Sequence, residues 1–168
     1  MFSVRVATAA DIAAVDALLA RAYPRLLKAD YLPSVLVTVL PMMSRAQPAL
    51  VTCGTYYVVE DAGAIIGAGG WTTAIPGGNP GGAAPEPGRG NVRHVVTDDR
   101  QVRRGVGRAL ISHICDTAQA SGMTWLHCVA TLTAVPFYRA VGFTDIGPLT
   151  LRFGAGIAFP AMEMRHAL

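Results

Sequence analysis

The stretch His94 to Leu110, His-Val-Val-Thr-Asp-Asp-Arg-Gln-Val-Arg-Arg-Gly-Val-Gly-Arg-Ala-Leu, constrains this chain more than any other. A β-rich run, Val92 to Val96, enters a charged turn. The turn closes on Arg103-Arg104-Gly105-Val106-Gly107-Arg108, and a helix opens at once. A strand leading through a two-glycine loop into a helix points to an α/β arrangement. The first N–H groups of a helix have no intrahelical partner. With the positive end of the helix dipole they form an anion site suited to a pyrophosphate. Glycine lets a ligand approach the backbone because no Cβ intervenes, and the three arginines add charge-assisted contacts to phosphate. The same pattern also fits a plain tight turn with solvated arginines, so the rest of the chain has to decide between them.

With 168 residues the chain has the length of one domain with a real core. Hydrophobic residues make up 52% and charged residues 15%, which describes a globular protein rather than a disordered one. The net charge is only +3 and no dense Lys/Arg tract occurs, so a small anionic cofactor fits the local arginine cluster better than nucleic acid does. Cys53, Cys115 and Cys128 form no Cys-x-x-Cys pair. They read as free thiols in a reducing compartment, with no metal site and no disulfide framework. The N-terminus lacks a signal-peptide layout, and the apolar run Val35 to Met43 is too short for a membrane span. A cytoplasmic protein with no membrane partner is expected.

Phe2, Val4 and Val6 alternate with polar residues as in a strand. Thr8 and Asp11 resemble a capping box, and Ile12, Val15, Leu18, Leu19 and Ala22 recur at helical spacing, so a first helix is expected over 9–22, with Pro24 helping to end it. A second, very apolar helix is expected over 30–43, with Asp30 as cap and Pro33 in its first turn, where it either walls a substrate pocket or is plain core. Residues 55–60 and 64–73 read as a hairpin turning at Asp61-Ala62-Gly63. Residues 76–90 are rich in Gly and Pro with few apolar anchors, the composition of a flexible surface loop: a tolerated insertion, or a lid. The strand 92–97 then leads through the glycine loop to a helix over 106–120, stopped by Gly122. A strand over 125–130, a short helix over 134–141 and strands over 143–153 and 159–166 complete the order β-α-α-β-β-β-α-β-α-β-β.

Two motifs and this order resemble the GCN5-related N-acetyltransferase (GNAT) superfamily. One is Arg104-Gly105-Val106-Gly107-Arg108-Ala109-Leu110 opening a helix after a strand, similar to that family's acetyl-CoA pyrophosphate loop. The other is Ala134-Val135-Pro136-Phe137-Tyr138-Arg139-Ala140-Val141-Gly142-Phe143, similar to its helix ending in an aromatic-Tyr, a basic residue and Gly-Phe. The stronger part of the likeness covers about residues 92 to 145. The sequence departs from the family pattern at Val102, where Gln or Arg is usual, at Asp99, where Pro is frequent, and at Thr131, where Asn is frequent.

The resemblance implies one acetyltransferase domain over 1–168. Its fold would be α/β (α+β), with a mixed central sheet of six to seven strands and a splay between the fourth and fifth. It also implies acetyl-CoA as cofactor and acetyl transfer to a primary amine of a small molecule or a protein. Backbone groups near Val95 and Val96, with Thr97 and Thr131, would flank the pantetheine arm and thioester. Arg103, Arg104, Gly105, Val106, Gly107 and Arg108 would hold the pyrophosphate. A homodimer is compatible with the family.

Tyr138 is the candidate general acid, because a phenol near 10 can protonate a departing thiolate whose conjugate acid lies near 8.5. Many relatives carry a Glu on the strand before the glycine loop, but residues 91–97 hold no Asp or Glu. His94 is the only group there suited to act as a base at neutral pH, on a strand face shared with Val92 and Val96. His127 and Glu60 are weaker candidates, and a water relay is the remaining route. Cys128, Trp71 and Trp125 read as core. The missing strand carboxylate motivates an alternative, a non-catalytic acyl-CoA-binding module. A dinucleotide-binding oxidoreductase is disfavoured, since no Gly-x-Gly-x-x-Gly lies near the N-terminus.

Overall fold

The computed structural model describes residues 1–168. Seven strands, β1 (Ser3–Val6), β2 (Tyr56–Asp61), β3 (Ala64–Thr72), β4 (Arg89–Thr97), β5 (Trp125–Thr131), β6 (Thr144–Phe153) and β7 (Ile157–Ala167), form one sheet in the order β1-β2-β3-β4-β5-β7-β6. The five helices are α1 (Ile12–Leu27), α2 (Pro33–Met43), α3 (Pro48–Val51), α4 (Val106–Ala120) and α5 (Val135–Ala140). All neighbouring strands run antiparallel except β4 and β5. A parallel pair needs a crossover, and α4 supplies it.

Each face of the sheet carries its own core. Val15, Leu18, Leu19 and Ala22 of α1 and Leu36 and Val39 of α2 pack on Tyr56, Val58, Ala68 and Val96. Leu110, Ile111, Ile114 and Ala118 of α4 pack on Tyr57, Val59, Val92, Leu126 and Cys128 of the opposite face. Removing each large aliphatic side chain from water stabilises by about 1.5–3 kcal/mol, which offsets the entropy of ordering the helices.

Several expectations are corrected. α1 continues through Pro24 to Leu27, because Tyr23 and Leu27 extend its buried stripe and a helix can accept a proline where packing compensates. α2 starts at Pro33 with Leu32 as its cap residue, and Asp30 instead accepts a hydrogen bond from the Thr133 hydroxyl at 2.7 Å. A short extra helix, α3, precedes β2. β4 begins at Arg89 rather than Val92, so the Gly/Pro loop is shorter at that end. It contains a short 3-10 turn, Pro80–Gly82, and Asn79 bridges Ile75 N–H (3.1 Å) and the Ala83 carbonyl (2.9 Å) across it.

The largest correction concerns β4. Ala68 pairs with Val96 and Gly70 with Arg93, so Gly69 alone faces both His94 and Val95. This β-bulge puts His94 at φ +50° and reverses the alternation. Val92 therefore packs in the α4 core and Val96 in the α1 core, not on one shared face. Gly69 of β3 makes the crowding at the bulge tolerable, and Gly70 admits the close approach of the Thr55–Tyr56 backbone from the other side. A Cβ on Gly69 would lie 2.7 Å from Val95 Cγ2, and one on Gly70 would lie 2.3 Å from the Thr55 carbonyl oxygen.

Gly70→Ala should therefore destabilise the fold by about 2 kcal/mol or more, since backbone atoms cannot yield as a side chain can. Gly147→Ala in β6, where a Cβ meets nothing within 4 Å, should stay within about 0.5 kcal/mol of the parent. Urea unfolding of both variants checks the contrast.

Candidate active site

β4 and β5 pair only at Arg89↔Trp125, Gly90↔Leu126 and Asn91↔His127. Both strands continue beyond, to Thr97 and Thr131, without pairing to one another. The gap opens into a cavity of about 700 Å³. Its walls come from β4 and β5, the loop before α4, the start of α4, and Tyr138 of α5. Tyr23, Leu26 and Leu27 close it from α1. α2, read from sequence as either a pocket wall or plain core, contributes Met43 alone.

The loop between β4 and α4 curls through two left-handed residues, Arg103 at φ +65° and Gly105 at φ +79°. Gly105 is the N-cap of α4 and supplies no side-chain cap. The first helical N–H bonded in this turn is that of Ala109, to the Gly105 carbonyl at 2.9 Å. The amides of Val106, Gly107 and Arg108 are thus left to a ligand. A Cβ at Gly105 would meet nothing within 4 Å, so the space above the turn is open. Gly107 has another role, because a Cβ there would lie 3.0 Å from the Phe137 ring. Its absence lets α4 and α5 close together.

Sequence reasoning missed what holds this loop. Asp98 is almost fully buried. Its carboxylate accepts the Arg100 backbone N–H at 2.9 Å and pairs with Arg100 at 3.0 Å and with Arg21 of α1 at 2.7 Å. The Arg100 hydrogen bond, more than any other contact, holds its carboxyl down at about 2. Asp99 pairs with Arg25 of α1 at 3.2 Å. The acidic pair before the loop was the available signal, but its α1 partners, Arg21 and Arg25, lie far away in sequence.

Every residue expected at the site lines the cavity except Arg104: His94, Val95, Val96, Thr97, Arg103, Gly105, Val106, Gly107, Arg108, Thr131 and Tyr138. The Arg104 guanidinium turns away to the Asp61 carboxylate at 2.8 Å. Thr131 accepts the Ala134 N–H at 3.3 Å and so starts the turn into α5. The Leu132 N–H donates to the Tyr31 hydroxyl at 2.8 Å, and that hydroxyl donates to the Pro160 carbonyl at 2.7 Å. This clamp fixes the entry of the helix that carries Tyr138.

The bulge aims His94 at the end of α2, from the wall of the cavity. Its Nε2 lies 2.8 Å from the Met43 carbonyl oxygen. A carbonyl only accepts, so Nε2 carries the ring proton and Nδ1 keeps its lone pair. Burial above all, with Arg93 nearby, holds the ring below its ordinary 6.5, while the Met43 carbonyl opposes the shift. The ring is therefore neutral at pH 7. Tyr23 and Tyr56 hydroxyls donate to the Val95 and His94 carbonyls at 3.1 and 3.0 Å, satisfying the bulge from the α1 side.

Tyr138 is buried between Phe137 and Phe143, with ring centroids at 5.3 and 5.2 Å. Burial, then the adjacent Cys128 thiol, pushes its hydroxyl well above 10. Burial likewise pushes the Cys128 thiol up to about 12, so this cysteine is no nucleophile at neutral pH. Of the weaker base candidates, His127 lines the cavity with Nε2 2.8 Å from Glu163. Glu60 lies away from it, paired to Arg5 at 2.7 Å.

The sequence profile of the acetyltransferase (GNAT) domain matches residues 52–145, more than half of the chain, and the protein belongs to this family. It is an N-acetyltransferase by class. No curated protein sequence matches it. The fold is shared with solved structures of low identity. A GCN5-related N-acetyltransferase from Rhodopseudomonas palustris is 18% identical, with a TM-score of 0.77 over 99% of this chain and 95% of that one. The PaiA N-acetyltransferase from Thermoplasma acidophilum, in complex with coenzyme A, is 7% identical, with a TM-score of 0.73 over 100% and 99%. The yncA protein from Salmonella typhimurium, with acetyl-CoA, is 17% identical, with a TM-score of 0.69 over 100% and 94%. Membership removes the oxidoreductase reading. No helix is long and apolar enough to cross a membrane.

Asp98→Asn should loosen the loop and destabilise the fold by about 1 kcal/mol or more, by leaving Arg21 and Arg100 without their carboxylate. Asp98 is held below its ordinary 3.8, so its contribution is complete above that value and fades as the pH falls toward about 2. The gap between parent and variant in urea midpoints should be narrower at acid pH than at pH 7.

Proposed function

We propose that this protein transfers the acetyl group of acetyl-CoA to a primary amine of a small molecule or protein, in the cleft between β4 and β5. One observation carries the proposal. The uncapped amides of α4, a neutral imidazole with a free Nδ1 and a protonated phenol all line one cavity. The residues present fit the cofactor: the open turn at Gly105 suits a diphosphate, and the unpaired edges of β4 and β5 suit an extended polar arm. When bound, acetyl-CoA supplies an acyl carbon already activated as a thioester.

The chain's own groups do the rest. Amides at Val106, Gly107 and Arg108, with Arg103 and Arg108 side chains, bind the diphosphate. Backbone near Val95 and Val96 orients the acyl carbonyl and stabilises charge developing on its oxygen. His94 Nδ1 takes a proton from the acceptor's ammonium, which frees the amine lone pair to attack, and the Nε2–H bond to Met43 steadies the imidazolium that forms. The nitrogen–carbon bond forms, the carbon–sulfur bond breaks, Tyr138 gives its proton to the departing sulfur, and the second proton lost from the new amide nitrogen restores the phenol. The burial that raises both the phenol and the Cys128 thiol would raise a departing thiolate bound beside them in the same direction. His94 fills the place of the missing strand carboxylate, which favours an enzyme over a non-catalytic binding module.

Free-thiol release from acetyl-CoA with a panel of amines tests the proposal. Tyr138→Phe should lower kcat roughly tenfold or more, with little change in coenzyme A affinity by calorimetry. In the parent, kcat/KM should fall as the pH drops through the lowered His94 value, below 6.5, because the imidazole is then already protonated. His94→Gln should remove that acid limb. Undiminished turnover by Tyr138→Phe, or an unchanged limb in His94→Gln, would contradict the assigned roles.

A further inference from the structure

Arg93 is the one arginine withdrawn from solvent that has no carboxylate partner. Arg21 and Arg89, also withdrawn, pair with Asp98 and Glu86. The other arginines without a carboxylate, Arg103, Arg108, Arg152 and Arg165, are exposed. Arg93 lines the cavity, and its only hydrogen bond to protein runs from Nη1 to the Thr72 hydroxyl at 3.0 Å. Burial also lowers its pKa. The strands flanking β4, β3 and β5, carry no carboxylate, and Glu163 of β7, one strand further, is engaged by His127 at 2.8 Å. The Nε and Nη2 atoms of Arg93 are not buried, so they stay open to a ligand in the cavity, and partial burial without a counter-charge strengthens the pull on an anionic one.

The position of Arg93 separates it from the diphosphate cradle. It stands two residues past the last β4–β5 pair, at the closed end of the splay. The cradle begins beyond Thr97, about 13 Å further along the strand. The bulge brings Arg93 and the next residue, His94, both to the cavity, where regular alternation would send one of them away.

We infer that the acceptor carries a carboxylate close to its amine, as a free amino acid does, and that the unpaired fork of Arg93 binds this carboxylate while His94 faces the amine. The inference rests on the acetyl-transfer reading of the same cleft. Nε and Nη2 of Arg93 make no bond to protein, and a planar guanidinium offers a carboxylate two parallel donors. Arg93 is a specificity residue: it holds the acceptor, and the proton transfers belong to His94 and Tyr138.

The test uses the whole protein with acetyl-CoA and matched acceptors: free amino acids, their carboxamides and the corresponding aminophosphonates. For at least one side chain, kcat/KM for the acid should exceed that for the amide by about 100-fold, mostly through KM. Arg93→Gln should collapse that ratio toward one, and Arg93→Lys should leave an intermediate ratio, because a point charge remains without the fork. Coenzyme A affinity and melting temperature of each variant show that it is folded. In parallel, calorimetry should detect N-acetyl amino acids binding to the coenzyme A complex of the parent and not to that of Arg93→Gln. Amides used as well as acids would overturn the assignment, as would preferred phosphonates, an unchanged ratio in Arg93→Gln, or no N-acetyl amino acid binding. A protein that does not bind coenzyme A would instead overturn the acetyl-transfer reading, and this assignment with it.

Discussion

β4 and β5 share three residue pairs and then part, and a sheet holds such a gap only if both edges find other support. The support here is non-local. The bulge at His94 and Val95 bends β4, and a side-chain-free residue of β3, Gly69, makes room for it. Tyr23 and Tyr56 reach from α1 and β2 to satisfy two bulge carbonyls. α1 and α4 then seal the two faces with separate cores. The cavity, the direction of His94 and the access of Tyr138 all follow from that one departure from regular pairing.

Local signals gave the elements well. The helix over Val106–Ala120 was legible to the residue, because a glycine turn opens it, a 3.6-residue apolar stripe runs along it and Gly122 follows its end. The hairpin of β2 and β3 was legible from Asp61-Ala62-Gly63, with shifts of a residue at its ends. The bulge was not legible. Alternation placed Val92 and Val96 on one face, and nothing in residues 92–97 announces that one strand position counts twice. Pro24 misled because a local helix breaker was outweighed by the burial of Tyr23 just before it and Leu27 beyond it.

The site divides in the same way. The glycine turn and the tyrosine helix are contiguous motifs, and both come to the cavity. The groups that fix them are scattered. Arg21 and Arg25 reach the loop from α1, and Tyr31 bridges the turn into α5 to β7. Arg104 shows the converse: adjacent to the glycine turn in sequence, it is taken by Asp61 across the fold. The tautomer of His94 and the isolation of Arg93 depend on neighbours that no spacing rule supplies.

Chemically, the cleft offers amides for a diphosphate at its open end, an imidazole and a phenol near its middle, and a guanidinium at its closed end. The most direct measurement is a crystal structure of the acetyl-CoA complex. The account predicts the diphosphate within hydrogen-bond distance of the amides between Arg103 and Arg108, and the thioester lying between the parted strands beside Tyr138. Acetyl-CoA bound outside this cleft, or strands β4 and β5 closed against each other in the complex, would contradict it.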